Sequence, residues 1–179
     1  MNVILFGFKS CGKTTLGKMI AVRMNRTFLD TDTLLEQLYL EHTGGEMPFR
    51  QIYKKIGEEK FRALESEVVS QLKNYKNSII ALGGGLILNP KNAAFLAKLG
   101  QLVYLKVSKE RLKRRILDKE LPSFLDPADP EKSFENYYNE RRSTYEAIPA
   151  LSIDLETKTQ DQVVLELSAL ILNQEQHNG

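Results

Sequence analysis

The stretch Gly7-Phe8-Lys9-Ser10-Cys11-Gly12-Lys13-Thr14 follows the apolar run 3–6 and precedes a segment of helical period. It satisfies G-x-x-x-x-G-K-[ST] between a strand and a helix, the context in which that pattern holds phosphate. Gly7 and Gly12 let the backbone wrap closely round the anion, and successive N–H groups with the helix N-terminus present their positive ends to it. Lys13 is placed to reach the β- and γ-phosphates of a nucleotide, and the Thr14 hydroxyl to ligate Mg²⁺. Ser10, Cys11 and Thr15 complete the nucleotide-binding set by their place in and after the loop. Lys9 occupies a variable position and joins that set if its charge faces the phosphates; a solvated side chain is the simpler expectation. Cys11 reads as a small residue that fits, since no histidine lies near it in sequence.

Outward from this loop, short apolar runs bounded by turn residues alternate with helical segments. NVILF, TFLD, SIIALG, QLVYLKV and LSIDL read as five strands. The first and third are almost continuously apolar, as strands covered on both faces are. Helical patterns fall near 13–24, 31–42, 48–74 with a break at Gly57, 90–98, 108–118, 131–146 and 160–173. In the last, Val163, Val164, Leu167, Leu170 and Ile171 form one apolar stripe, and Pro90 suits a first helical turn. The alternation predicts an α/β layer fold with a mostly parallel sheet. At 179 residues, with no internal repeat or low-complexity linker, one domain over 1–179 is expected. KELPSFLDPADP, 119–130, is the least regular stretch, a surface connection or a lid.

A net charge of +2 argues against a polybasic nucleic-acid or membrane surface. Cys11 is the single cysteine, so no intrachain disulfide forms, in keeping with a reducing cytoplasm. No apolar run approaches the roughly 20 residues of a membrane span, and Gly7 interrupts the first one early. A soluble cytoplasmic protein is expected, and, lacking an obvious exposed apolar stripe, a monomer.

The phosphate loop alone leaves a GTPase, an ATPase motor and a small-molecule kinase open. N-K-x-D and a D-x-x-G switch after a strand are missing, and the small size favours a kinase of a metabolite or nucleotide. Four further stretches bear on the acceptor. FLDTD places Asp30 and Asp32 just past a strand, at the sheet edge where ligands bind. One carboxylate there helps hold Mg²⁺ while the other takes a proton from an attacking hydroxyl, or Asp30 and Thr31 merely cap the next helix. Gly83-Gly84-Gly85 exposes bare backbone at a strand end, for a small polar ligand or for a turn. Arg62 in EEKFRALE, paired with Glu58 or Glu65 at helical spacing, and Arg141 and Arg142 in NERRSTYEA, taken singly, read as surface helical charges.

Together these stretches resemble the shikimate kinase family, from the phosphate loop to at least Tyr145. Its D-T-D-x-x-I-E corresponds to 30–36, its G-E-x-x-F-R-x-x-E to 57–65, its G-G-G to 83–85, and its E-R-x-P-L-Y to 140–145, where the Pro-Leu is lost. The resemblance implies a P-loop kinase fold, a three-layer α/β/α unit with a five-stranded parallel sheet of order 2-3-1-4-5. It implies ATP as co-substrate with Mg²⁺, shikimate as acceptor, Asp32 as hydroxyl ligand and proton acceptor, and Asp30 in the Mg²⁺ shell. Arg62 and Arg141 would grip the carboxylate, Gly83, Gly84 and Gly85 would line the site, residues 31–65 would form an acceptor-binding segment, and about 112–127 a lid. The family's lid carries an Arg-Pro pair, yet Leu121 precedes Pro122 here. A nearby cation substitutes, the loop aligns differently, or turnover is impaired. Lys119 and Arg115 are the nearest substitutes, and Arg114 or Arg115 also falls where the family places an arginine near the adenine. A gluconate or nucleotide kinase and a catalytically impaired regulator are the competing readings.

Overall fold

The computed structural model describes residues 1–118, 121–122 and 124–177. Five strands, β1 (Asn2–Phe6), β2 (Thr27–Asp30), β3 (Ser78–Ala81), β4 (Gly100–Lys106) and β5 (Leu151–Asp154), form one parallel sheet in the order β2-β3-β1-β4-β5. Every residue of β1 and β3 is buried, so apolar side chains on both strand faces are covered by helices, which accounts for their nearly unbroken apolar sequence. The predicted order and the three layers are those observed.

The helices begin and end where local chemistry allows. α1 (Lys13–Met24) starts behind Gly12, which is in the left-handed region at φ 112°, and stops at Asn25, whose left-handed backbone turns its N–H to the Ala21 and Val22 carbonyls. α2 (Thr31–Thr43) is capped by the Asp30 side chain, which accepts from the Asp32 amide, and ends at Gly44 with φ 71°. α3 (Phe49–Gln71) follows Pro48 and breaks at Gly57, where φ is 78° and ψ 170°. α4 (Pro90–Leu99) has Asn89 as cap and Pro90 in the first turn. Ser108 caps α5 (Lys109–Leu117), and Asp129 caps α6 (Pro130–Ala147). α7 (Gln160–His177) packs on α1. Its Val163, Val164, Leu167 and Ile171 are buried, but Leu170 is 37% exposed. At about 100° per residue Leu170 falls on the edge of the arc the other four occupy, so it leaves the stripe assigned to it from sequence. Short 3₁₀ turns at Leu72–Asn74 and Leu86–Leu88 close the α3–β3 and β3–α4 connections.

Two apolar cores result. The larger surrounds the sheet and reaches α6 through an aromatic group. Phe8 stacks on Tyr138 at 4.9 Å and meets Tyr145 edge-on at 4.9 Å, while Phe6 stacks on Tyr104 at 5.3 Å. The smaller lies between α2 and α3 and contains Leu35, Leu38, Ile52, Phe61 and Val68. Ile52 is 0% exposed at its centre. Ile52→Ala is expected to lower stability by about 3 kcal/mol through lost transfer energy and a residual cavity, read as a lower urea midpoint at unchanged m-value.

Candidate active site

In an all-parallel sheet the loops leaving the C-terminal strand ends share one edge. The loops after β1, β2 and β3 there enclose a cavity of about 680 Å³. From β1 come Lys9, Ser10, Gly12 and Lys13, from the β2–α2 junction Asp30 and Asp32, and from the end of β3 Gly83, Gly84 and Gly85. Thr14 and Thr15 of α1, Arg62 of α3, Arg115 of α5 and Arg141 of α6 also line it.

The phosphate loop is shaped by crowding at Gly7, where φ is 144° and an added Cβ would stand 2.8 Å from the Leu105 carbonyl oxygen. Ser10 is held at φ 64°. The Lys13 ammonium donates to the Gly7 and Phe8 carbonyls at 3.0 and 2.9 Å, so it stays inside its own loop. Gly7 and Cys11 shape the loop from beneath and do not line the cavity. Cys11 is buried with its Sγ 3.8 Å from the Lys13 ammonium, a filler as expected. Lys9 departs from expectation: its side chain turns into the cavity rather than out to water. Its ammonium lies over the Phe49 and Phe124 rings. Burial first, then Arg50, lower its pKa, with Asp32 opposing them.

At the β2–α2 junction both readings of FLDTD hold at once. Asp30 Oδ1 caps α2, accepting from the Asp32 amide at 3.0 Å, while Oδ2 accepts from the Thr14 hydroxyl at 2.8 Å. Thr14 and Asp30 thus present two adjacent hard oxygens beside the phosphate loop. That donor pair fits Mg²⁺, which keeps waters and phosphate oxygens for its remaining positions. Among the described residues no three His, Cys, Asp or Glu side chains gather as a self-sufficient metal cage. Asp32 points away, against Gly83. Burial, then the charge of Asp30, push its carboxyl up to about 6, with Lys13 and Lys9 pulling the other way.

Gly83 and Gly85 make room for two side chains, and none of the three glycines has φ in the left-handed region. A Cβ on Gly83 would collide with Asp32 Oδ1, and one on Gly85 would stand 2.9 Å from Arg62 Nη1. The Gly84 carbonyl accepts from Arg141 Nη1 at 3.2 Å and from the buried Tyr145 hydroxyl. The Gly83 amide donates to Thr31 Oγ1 at 2.7 Å. Arg62 is oriented by Glu65 at 2.7 Å and Glu58 at 3.6 Å. Burial disfavours its charge, but the Glu65 hydrogen bond and both carboxylates hold it above its usual pKa. Arg141 stacks over Tyr137 with its guanidinium carbon 4.4 Å from the ring centroid. Arg142, by contrast, is exposed and pairs with Glu146 at 3.0 Å, the surface role.

Arg115 donates to the Ser10 and Cys11 carbonyls at 3.2 and 3.5 Å. Lys119 lies outside the described residues. Leu121 packs on the larger core, and Pro122 and Phe124 are what its segment turns to the cavity. Sequence reasoning missed the aromatic wall that Phe49, Tyr53 and Tyr137 form with Phe61, and it missed Arg50; the pairing of Arg62 with Glu58 or Glu65 expected from helical spacing is present with both partners. Phe49 and Tyr53 stand four apart behind Pro48, so helical spacing was the available signal.

The sequence profile described as "Shikimate kinase" matches residues 9–171. A shikimate kinase of Caldanaerobacter subterraneus is 37% identical over 166 residues, 93% of each chain. The structure of "Shikimate kinase from Acinetobacter baumannii in complex with shikimate" superposes with a TM-score of 0.82 at 29% identity, covering 97% of this chain and 93% of that one. The shikimate kinase of Aquifex aeolicus gives 0.78 at 31% identity over the full length of both. With the profile spanning nearly the whole sequence and relatives above 30% identity end to end, this chain belongs to the shikimate kinase family.

Proposed function

We propose that the chain transfers the γ-phosphoryl group of ATP to the 3-hydroxyl of shikimate, giving shikimate 3-phosphate and ADP, a step toward aromatic amino acids. The observation that carries this reading is convergence. Asp32, Arg62 and Arg141, from three separate helices, line the cavity that also holds Lys13. A ring acid bearing hydroxyls needs planar cations for its carboxylate and an acceptor for its hydroxyl proton, and the cavity offers both. Arg62 stands beside Gly85, Arg141 bonds to the Gly84 carbonyl, and Asp32 lies against Gly83.

In this mechanism the phosphate-loop amides and Lys13 hold the β- and γ-phosphates. Thr14 and Asp30 would hold Mg²⁺, which when bound neutralises phosphate charge. Asp32 orients the 3-hydroxyl and takes its proton as the oxygen–phosphorus bond forms and the β,γ-bridging bond breaks. Held near pKa 6, it is ionised at neutral pH yet far more basic than an ordinary aspartate. Arg115, fixed against the loop carbonyls, stands on the nucleotide side. Residues 31–65 act as the acceptor-binding segment, and 112–127, bringing Pro122 and Phe124, as the lid that excludes water. A monomer is part of the same reading. No described helix is long and apolar enough to cross a membrane, and a cytoplasmic location is part of the same reading.

Coupled ADP release should depend on shikimate and not on gluconate or a nucleoside monophosphate. ATP binding without shikimate-dependent release would instead identify a nucleotide-binding regulator. Arg141→Ala should raise KM for shikimate about 10- to 100-fold, the worth of a charge-assisted hydrogen bond, with a smaller effect on kcat. An unchanged KM would remove Arg141 from substrate capture.

Asp32→Asn separates function from stability. A carboxyl at about 6 in the fold and 3.8 when unfolded is penalised in its charged form, so the penalty is absent below pH 3.8, grows to pH 6 and is full above it. Discounted for partial solvent access, its size is on the order of 2 kcal/mol. Without metal or nucleotide, Asp32→Asn should therefore melt above the wild-type chain near pH ~7.5, with the gap shrinking toward pH ~4.5. Turnover should be lost while ATP binding stays.

A further inference from the structure

The cations lining the cavity are not equally engaged. Arg62 is paired with Glu65 and Glu58, Arg141 is fixed by the Gly84 carbonyl and Tyr137, and Arg115 and Lys13 bond to loop carbonyls. Lys9 and Arg50 are different. Among the described residues neither charged group makes an ion pair or a hydrogen bond. Instead they flank one ring. The Lys9 ammonium lies 5.7 Å and the Arg50 guanidinium carbon 5.9 Å from the Phe49 centroid, and Lys9 also lies 5.8 Å from the Phe124 centroid. Aromatic faces gather cations without neutralising them. Two like charges held together beside a half-buried cavity are unfavourable on their own, and the depressed pKa of Lys9, from burial and then Arg50, reflects that.

The position of Lys9 says what would relieve the repulsion. It leaves the phosphate loop four residues before Lys13, and its amide, near the Tyr137 hydroxyl at 3.4 Å, lies beside Gly84. Asp32 is the carboxylate whose charge it feels. Lys9 therefore shares one cavity with the loop that cradles the donor phosphates and with Asp32, the carboxylate that takes the hydroxyl proton. Leu121, packed on the core, brings no charge to that place. We propose that Lys9, backed by Arg50, is the cation that receives the phosphoryl group as it passes from nucleotide to acceptor. Its equatorial oxygens accept hydrogen bonds from the Lys9 ammonium while the acceptor oxygen–phosphorus bond forms and the bond to ADP breaks. The only proton moved goes from the hydroxyl to Asp32. A charge placed where negative charge spreads in the transition state is a large term in phosphoryl transfer.

This inference rests on the shikimate-phosphorylating reading, and the test separates the two. Steady-state kinetics of Lys9→Met, Lys9→Arg and Arg50→Met are measured beside calorimetric binding of shikimate and of shikimate 3-phosphate. Lys9→Met should lower kcat about 10²-fold, with KM and binding of shikimate nearly unchanged. Affinity for shikimate 3-phosphate should fall about tenfold or more, and Lys9→Arg should recover most of both losses. Arg50→Met should act in the same direction but less. Its exposed place in the first turn of α3 keeps the test open if Lys9→Met does not fold. Wild-type kcat and product affinity in Lys9→Met, or in Arg50→Met should that variant alone fold, would overturn the proposal, as would a raised KM for shikimate at unchanged kcat. A wild-type protein that releases no ADP with shikimate would overturn the functional reading itself, and this inference with it.

Discussion

The parallel register of three strands governs everything at this site. Ala81 of β3 pairs with Leu5 of β1 on one side and with Asp30 of β2 on the other. The three chains therefore run out of sheet at the same height, and the segments leaving them must meet in one place. The phosphate loop leaves β1, the Asp30–Asp32 turn leaves β2, and the glycine run leaves β3. The central strands are buried on both faces, so a one-residue slip would unpair buried backbone groups along two ladders. The site inherits its precision from the core. Functional atoms on three loops are positioned to hydrogen-bond accuracy because the strands beneath cannot move independently.

Space at the end of β3 turns that alignment into a binding surface. Side chains on Gly83 and Gly85 would occupy the volumes where Asp32 and Arg62 now stand. The Gly84 carbonyl fastens Arg141 and Tyr145 of α6. Tyr145 is in turn wedged among Phe6, Phe8 and Tyr104. Arg141 is therefore anchored through its own helix to the aromatic end of the large core, whereas Arg62 is held by Glu65 on a helix packed over the small one. The two guanidinium groups reach the same glycine run from independently packed layers.

The legible part of this molecule was periodic or punctuated. Strand runs, the glycine and lysine spacing of the loop, Pro90 and the Gly57 break are local signals, and each element they marked is present within a few residues. The fit of Asp32 and Arg62 against Gly83 and Gly85 was not legible, because glycines forced by φ and glycines forced by neighbours read alike in sequence. The aromatic wall was hidden for a related reason. Phe49, Tyr53 and Phe61 sit at helical spacings that a buried core face would also produce, and only the packing of α3 against α2 leaves part of each ring facing the cavity. The inward turn of Lys9 was not legible because its neighbours in the chain do not include the rings of Phe49 and Phe124 beside which it lies.

Charge followed the same logic of concentration. The whole chain carries only +2, which argues against a polybasic nucleic-acid or membrane surface but leaves local basic patches open. Yet the described cavity lining holds six cations, Lys9, Lys13, Arg50, Arg62, Arg115 and Arg141, against three carboxylates, Asp30, Asp32 and Glu65. Glu65 is committed to Arg62, and Asp30 to the Thr14 hydroxyl and a helix cap. That leaves Asp32 as the one carboxylate free to accept a proton in a field that otherwise favours anions. A low-dielectric hollow focuses such a field, so donor phosphates and an acidic acceptor are both drawn to it. The surplus is needed because two anions must be brought within bonding distance of each other, and their repulsion is what the site has to overcome before any bond can form. A uniformly basic surface would attract the same anions without holding them together, and a neutral cavity would admit one and repel the second.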